Sequence, residues 1–168
     1  MREDELTASA ASEATIRAAG SARDVELARA LFLEYAQWLK VDLCFQGFDE
    51  ELATLPGAYA PPHGRLLLAG APGGAFGCIA LRPLDAEAQL GEVKRLFVQQ
   101  ARRGEGWGRR LALSLLGEAR GVGYRELKLD TLGWMAEARS LYAALGFREC
   151  GAYYHNPLPG VVYMALSL

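Results

Sequence analysis

The sequence predicts a mixed α/β sheet with helices packed on both faces, and three observations carry that prediction. Two apolar strand patterns, RLLLAG at 65–70 and GAFGCIALRP at 74–83, are separated by Ala71, Pro72 and Gly73, which reads as an antiparallel hairpin. A strand over 91–98 runs through a glycine-rich turn into an amphipathic helix and then into a second alternating strand, the layout of a parallel crossover unit. The resulting order, βα(α)ββ followed by βαβαββ, is not periodic enough for a doubly wound parallel sheet.

Each element has its own signal. Residues 1–12, rich in Ala, Ser and acids, are expected to be a disordered tail, with 13–168 forming a single domain. Thr15 to Ala18 can make a first strand. Ser21, three residues before Asp24, is a helix N-cap signature, and Val25, Ala28, Leu31, Phe32, Tyr35 and Leu39 recur at helical spacing to about residue 40. Residues 41–64 are the least regular part of the chain, with a short helix at 49–55 stopped by Pro56 and Gly57, and read either as a pocket wall or as a plain connector. A helix over 107–120 ends at Gly121 and Gly123, and Leu127, Leu129 and Thr131 alternate with Lys128 and Asp130 as a strand. Residues 134–145 are again helical and closed by Gly146; 147–154 then pairs with 161–168 around the turn HNPLPG.

Composition narrows the function. A chain of 168 residues, 51% hydrophobic, can bury one substantial core. The net charge of -2 gives no global pull toward nucleic acid or anionic membrane, and neither is expected as a partner. An acidic start and the lack of a long apolar run lead to an expectation of a soluble, cytoplasmic protein. Cys44, Cys78 and Cys150 lack the spacing of a zinc site or disulfide framework, so they are expected to be small core residues, with no metal bound.

The turn after the strand 91–98 is the chemical centre. Gly104, Gly106 and Gly108 let main-chain N–H groups converge on one anion, and the positive end of the following helix adds to the attraction. Arg102, Arg103, Arg109 and Arg110 surround this turn, which suits a polyphosphate. A P-loop would need Lys-Ser/Thr where Arg109 and Arg110 stand, and the glycine register excludes a dinucleotide fingerprint.

Three ordered segments, EVKRLFV with RGEGWG, then KLDT, then ARSLYAALGF, resemble the GNAT superfamily of N-acetyltransferases. The resemblance implies a mostly antiparallel seven-stranded mixed sheet, split between strands 4 and 5 and flanked by about four helices, with acetyl-CoA as cosubstrate lying in the split. It implies that backbone groups around Leu96, Phe97 and Val98 hold the acetyl and pantetheine amides. The diphosphate would rest on Arg103, Gly104, Gly106, Trp107, Gly108 and Arg109. Met135 and Ala138 would meet the pantetheine arm, although Met135 stands where family members often carry an asparagine.

By the same resemblance Glu92 is the general base and Tyr142 the proton donor to the CoA sulfur. A strand-end ion pair of Glu92 with Lys94 or Arg95, and a purely core role for Tyr142, remain open. Tyr154 and His155 on the late loop are rival bases. The acceptor walls are expected at Phe45, Gln46, Trp134, Tyr153, Tyr154 and His155. The implied activity is direct acetyl transfer to the amine of a small molecule, peptide or protein; a non-catalytic acyl-CoA sensor is the alternative. An exposed edge at 161–168 would permit a homodimer.

Overall fold

The computed structural model describes residues 13–168, so the expected tail at 1–12 lies outside the described residues. Seven strands form one sheet: β1 (Thr15–Ala18), β2 (Arg65–Gly70), β3 (Gly77–Asp85), β4 (Leu90–Val98), β5 (Glu126–Leu132), β6 (Arg148–Cys150) and β7 (Val161–Ser167). Among the described residues four α-helices flank it: α1 (Ala22–Leu39), α2 (Phe48–Thr54), α3 (Trp107–Val122) and α4 (Ala136–Ala144). The spatial order is β1-β2-β3-β4-β5-β7-β6. Among the described residues only the β4–β5 pair is parallel, because α3 carries the chain back across the sheet between them.

Strand alternation distributes the core to two faces. Leu66 and Leu68 of β2 point to one side, where Leu31 and Phe32 of α1 and Phe48 of α2 cover them. Leu67 and Ala69 point to the other, under Leu111, Leu115 and Leu116 of α3, with Tyr142 of α4 on the same face. Each large side chain so buried contributes about 1.5–3 kcal/mol. Helix α1 starts at Ser21, whose hydroxyl accepts the Asp24 amide at 3.1 Å.

Two irregularities in β4 open the site. Its ladder with β5 covers only Leu90, Gly91 and Glu92, so the strands splay beyond Glu92 and leave a V-shaped gap. On the other edge the register with β3 slips: Cys78 faces Phe97 but Ala80 faces Lys94, which places one extra residue in β4. Arg95 sits in this bulge at φ 60°, an uncommon conformation for a residue with a side chain. Its guanidinium is gripped by Glu51 of α2, at 2.9 Å and 3.0 Å, and lies over the Phe48 ring. The Cys78 thiol donates to the Arg95 carbonyl at 3.3 Å.

Three expectations are corrected. β6 ends at Cys150 rather than near 154, because the following residues leave the sheet: Tyr153 and Tyr154 bond to Glu92 and Asp130 instead of continuing a ladder. β7 is not an edge, since β6 folds outside it; the sheet's edge strands are β1 and β6, and the middle of the expected dimer edge at 161–168, Tyr163 to Ala165, is already paired on both sides. Of the cysteines only Cys78 is fully buried, whereas Cys44 is exposed because it opens a surface turn between α1 and α2. No helix among the described residues is long and apolar enough to cross a membrane.

Candidate active site

The gap between β4 and β5 holds two neighbouring cavities. The larger, ≈ 600 Å³, runs from the bulge to the glycine turn. Its floor is Leu96, Phe97 and Val98; Met135, Ala138 and Leu141 form the wall on the α4 side. Trp38 and Trp134 pack against each other on its wall, with ring centroids 5.4 Å apart. The smaller cavity, ≈ 50 Å³, lies on the α1–α2 face and is lined by Tyr35, Gln46, Lys94, Asp130, Tyr142 and Asn156 among others. Leu96 and Met135 line both, so the two spaces lie next to each other on either side of these residues.

The mouth of the larger groove is the glycine turn. Gly104 at φ 82° and Gly106 at φ 84° take the left-handed conformation that costs a side chain dearly, and Gly106 caps α3 without any side-chain bond. The first intrahelical amide bond of α3 is from Arg110 to Gly106, which leaves the amides of Trp107, Gly108 and Arg109 pointing forward for an anion. Gly108 is different: it is helical, and a Cβ there would meet only Leu141, at 3.7 Å.

The four arginines do not act alike. Arg103 donates from Nε to the Val98 carbonyl at 2.9 Å and stacks on Trp38 at 4.6 Å, which ties the end of β4 to the turn. Arg102 pairs with Glu105 and covers Phe76, and Arg110 lies 3.8 Å over the Trp107 ring. Arg109 is exposed at the first turn of α3. Trp107 is largely an anchor, edge-on to Phe76 at 4.9 Å, with its Nε1 donating to Glu105.

Behind the smaller cavity runs a buried polar network. Glu92 is 1% exposed; Oε1 accepts from Arg82 at 2.7 Å and Oε2 from the Tyr153 hydroxyl at 2.5 Å. Burial and the Glu92 charge push the Tyr153 hydroxyl strongly upward, so it remains a donor. Asp130 on β5 accepts from the Tyr154 hydroxyl and from Asn156 Nδ2, both at Oδ2. Gln46 donates to Tyr154 at 3.0 Å and accepts from Lys94 at 3.3 Å. Desolvation, then the nearby Arg95 charge, brings the Lys94 ammonium down to about 8.

Tyr142 has both of its expected surroundings. Its ring packs edge-on against Phe147 at 5.7 Å in the core, while the residue also lines the smaller cavity, and burial raises its hydroxyl well above the ordinary phenol range. Glu92 lines neither cavity; its chief partner is Arg82, with Lys94 farther away at 3.8 Å and Arg95 turned to Glu51. Among the expected acceptor residues, Gln46 lines the smaller cavity, and Tyr153 and Tyr154 support it. Phe45 packs against the α1–α2 core, His155 is exposed, and Trp134 lies in the larger groove because it is on the loop that enters α4.

Sequence reasoning missed Arg82, Asp130, Asn156 and the placement of Trp38. Arg82 was within reach, because hairpin register sets it directly opposite Glu92. Among the described residues no group of three or more His, Cys, Asp or Glu converges as a metal site.

The same fold and the same sequence pattern occur elsewhere. The acetyltransferase (GNAT) family model matches residues 26–147. An uncharacterised N-acetyltransferase of Schizosaccharomyces pombe is 38% identical over 158 residues, covering 94% of this chain and 96% of its own. An acetyltransferase of the GNAT family from Staphylococcus aureus Mu50 superposes with a TM-score of 0.75, at 19% identity, over 92% of this chain and 99% of that one. A Salmonella typhimurium chain solved with its cofactor acetyl-CoA superposes with a TM-score of 0.68, at 22% identity, over 93% of this chain and 94% of that one. The last two establish the fold, and the first two the family: the chain belongs to the acetyltransferase (GNAT) family and is an acyl-CoA-dependent acetyltransferase.

Proposed function

We propose that the protein transfers an acetyl group from acetyl-CoA directly to the primary amine of a small acceptor, both substrates being bound at once. The observation that carries this reading is that the two cavities adjoin at Leu96 and Met135, a long groove of ≈ 600 Å³ beside a smaller chamber lined by Lys94, Asp130 and Asn156. The apolar floor and the forward-facing amides of the glycine turn fit the thioester arm and its diphosphate. That the Salmonella typhimurium chain was solved with acetyl-CoA supports the assignment of the donor.

The chemistry follows from the groups where the cavities adjoin. Main-chain N–H groups at the bulge stabilise charge developing on the carbonyl oxygen as the amine nitrogen attacks. The new N–C bond forms and the C–S bond breaks; the Tyr142 hydroxyl gives its proton to the departing sulfur. The ammonium must first lose a proton, and Glu92 receives it. Glu92 lines neither cavity and both its oxygens already accept bonds, and Tyr153, which donates to Oε2, lines neither cavity as well. A proton therefore reaches Glu92 only if a bound water links the acceptor to the Tyr153 hydroxyl, which then hands its own proton to Oε2.

A second reading for the base is carried by Asp130, which faces the smaller cavity; among the described residues nothing donates to its Oδ1. Free CoA release, measured over a panel of amines, amino acids and peptides, tests the activity; CoA binding without turnover on any acceptor would instead indicate a sensor. Glu92→Gln, Tyr153→Phe and Asp130→Asn assayed across pH distinguish the bases. A relay requires the first two to lose activity together, and full activity of Glu92→Gln beside an inactive Asp130→Asn would move the base to β5.

A further inference from the structure

The smaller cavity contains a cation with nothing adequate to neutralise it. The side chain of Lys94 is 4% exposed, and its nearest carboxylate oxygen, Glu92 Oε1, is 3.8 Å away and already bonded to Arg82 at 2.7 Å. An ammonium carries three donors, and among the described residues the one acceptor in hydrogen-bond range is Gln46 Oε1, at 3.3 Å. A buried charge left this poorly paired is costly, and its position on the cavity wall points to a partner that arrives with the substrate.

The rest of the chamber limits what that partner can be. Arg82 is matched by Glu92 and Arg95 by Glu51, so neither adds free charge. Asp130, on the opposing strand β5, lines the same cavity, and its carboxylate pulls on Lys94 electrostatically. One unmatched cation and one carboxylate with an open oxygen make a chamber that is dipolar and close to neutral. A diamine would place a second positive charge against Lys94, and a simple alkylamine would leave Lys94 buried without an anion.

Building on the acetyl-transfer reading, we propose that the acceptor is a small amine that also carries a carboxylate, an amino-acid-like zwitterion whose carboxylate is bound by Lys94 and whose ammonium is received by Asp130. Gln46 and Asn156 hold these two groups in place, Gln46 through Lys94 and Asn156 through its bond to Asp130 at 2.8 Å. The downward pull of desolvation on Lys94 is offset on binding, because a carboxylate beside it favours the charged form.

The test compares three acceptors that share one side chain: an amino acid, its methyl ester and its carboxamide, each assayed for CoA release with acetyl-CoA. The wild-type protein is expected to favour the free acid by roughly 30-fold or more in kcat/KM, the scale of an unpaired buried charge. Lys94→Met is expected to bring that ratio close to one, chiefly through KM for the acid, while CoA still raises the melting temperature. Equal turnover of acid, ester and amide by the wild type would overturn the proposal without any variant, as would an acid preference that survives Lys94→Met. Lack of turnover on every amine, with CoA still bound, would overturn the acetyl-transfer reading itself.

Discussion

The larger groove is made almost entirely from one run of chain, Leu96 to Leu141, with Trp38 as its one contribution from α1. Its lining is chiefly the glycine turn and apolar side chains, with Arg102, Arg103 and Glu137 among them. The smaller cavity assembles Tyr35, Gln46, Lys94, Asp130 and Asn156 from five separate segments, and its character is set by charge and hydrogen bonding. Backbone sites are written in local spacing, as glycines followed by a helix. A side-chain site of this sort exists only after the sheet has closed, so it depends on long-range packing and is the more fragile of the two.

The strongest challenge to that contrast is Glu51. It is far from the groove in sequence, yet it fixes Arg95 in the bulge that both cavities share. Glu51→Leu leaves a guanidinium with a 3% exposed side chain unpaired, and urea unfolding is expected to show a loss of about 3–5 kcal/mol. Turnover should fall with it, because the bulge amides lose their placement. Glu51→Asp, which keeps the charge, should lose less of both; a Glu51→Leu protein as stable as wild type would mean that the bulge holds its shape without α2.

Lys94 gives the opposite sign. Its folded pKa is depressed to about 8 from 10.5, so the unfolded chain binds more protons between those values and stability rises with pH across that window. Burying the charged form is a full cost below about 8 and is relieved toward 10.5. Glu92 and Asp130 favour the charge, whereas Arg95 and Arg82 oppose it. Lys94→Met should therefore stabilise the protein by about 1–3 kcal/mol at pH 7, with the advantage shrinking toward pH 10. A melting-temperature series across pH checks this; a difference that stayed constant with pH would mean that Lys94 does not titrate in that range.

The two cavities were also unequally legible in the sequence. Gly104, Gly106 and Gly108, and the helix behind them, announced the groove because a turn and a helix start are local events. The charged chamber was only half visible. Glu92 and the late tyrosines could be marked, but Asp130 alternates with Leu129 and Thr131 and so reads as an ordinary solvent-facing strand residue. Asn156 gave no signal either, since its bond to Asp130 spans 26 positions. The strand expected to reach 154 failed for the same reason: its alternation is genuine, but the Tyr153 and Tyr154 hydroxyls bond to the buried Glu92 and the half-buried Asp130 instead of continuing a ladder.

Within the groove, Gly106 should behave as a folding residue and a binding residue at once. At φ 84° a side chain is strained, so Gly106→Ala should cost about 1–2 kcal/mol and also weaken CoA binding in a calorimetric titration, because the amides that follow would shift. Loss of affinity without loss of stability would show that the turn tolerates a Cβ and that the ligand does not.

Gly108 sharpens the comparison because the same substitution should separate those two effects. Its conformation is helical and the nearest atom to an added Cβ is Leu141 Cδ2 at 3.7 Å, an ordinary contact, so Gly108→Ala should gain about 0.5–1 kcal/mol by restricting the unfolded chain. The amide of residue 108 would still face the anion. A methyl group would nevertheless project into the groove that Gly108 lines, so acetyl-CoA affinity should fall several-fold while the melting temperature rises. That pairing of outcomes is specific to a glycine kept for the ligand's sake. If affinity were unchanged, the diphosphate would lie farther from the first turn of α3, and Gly104 and Gly106 would be the residues that hold it.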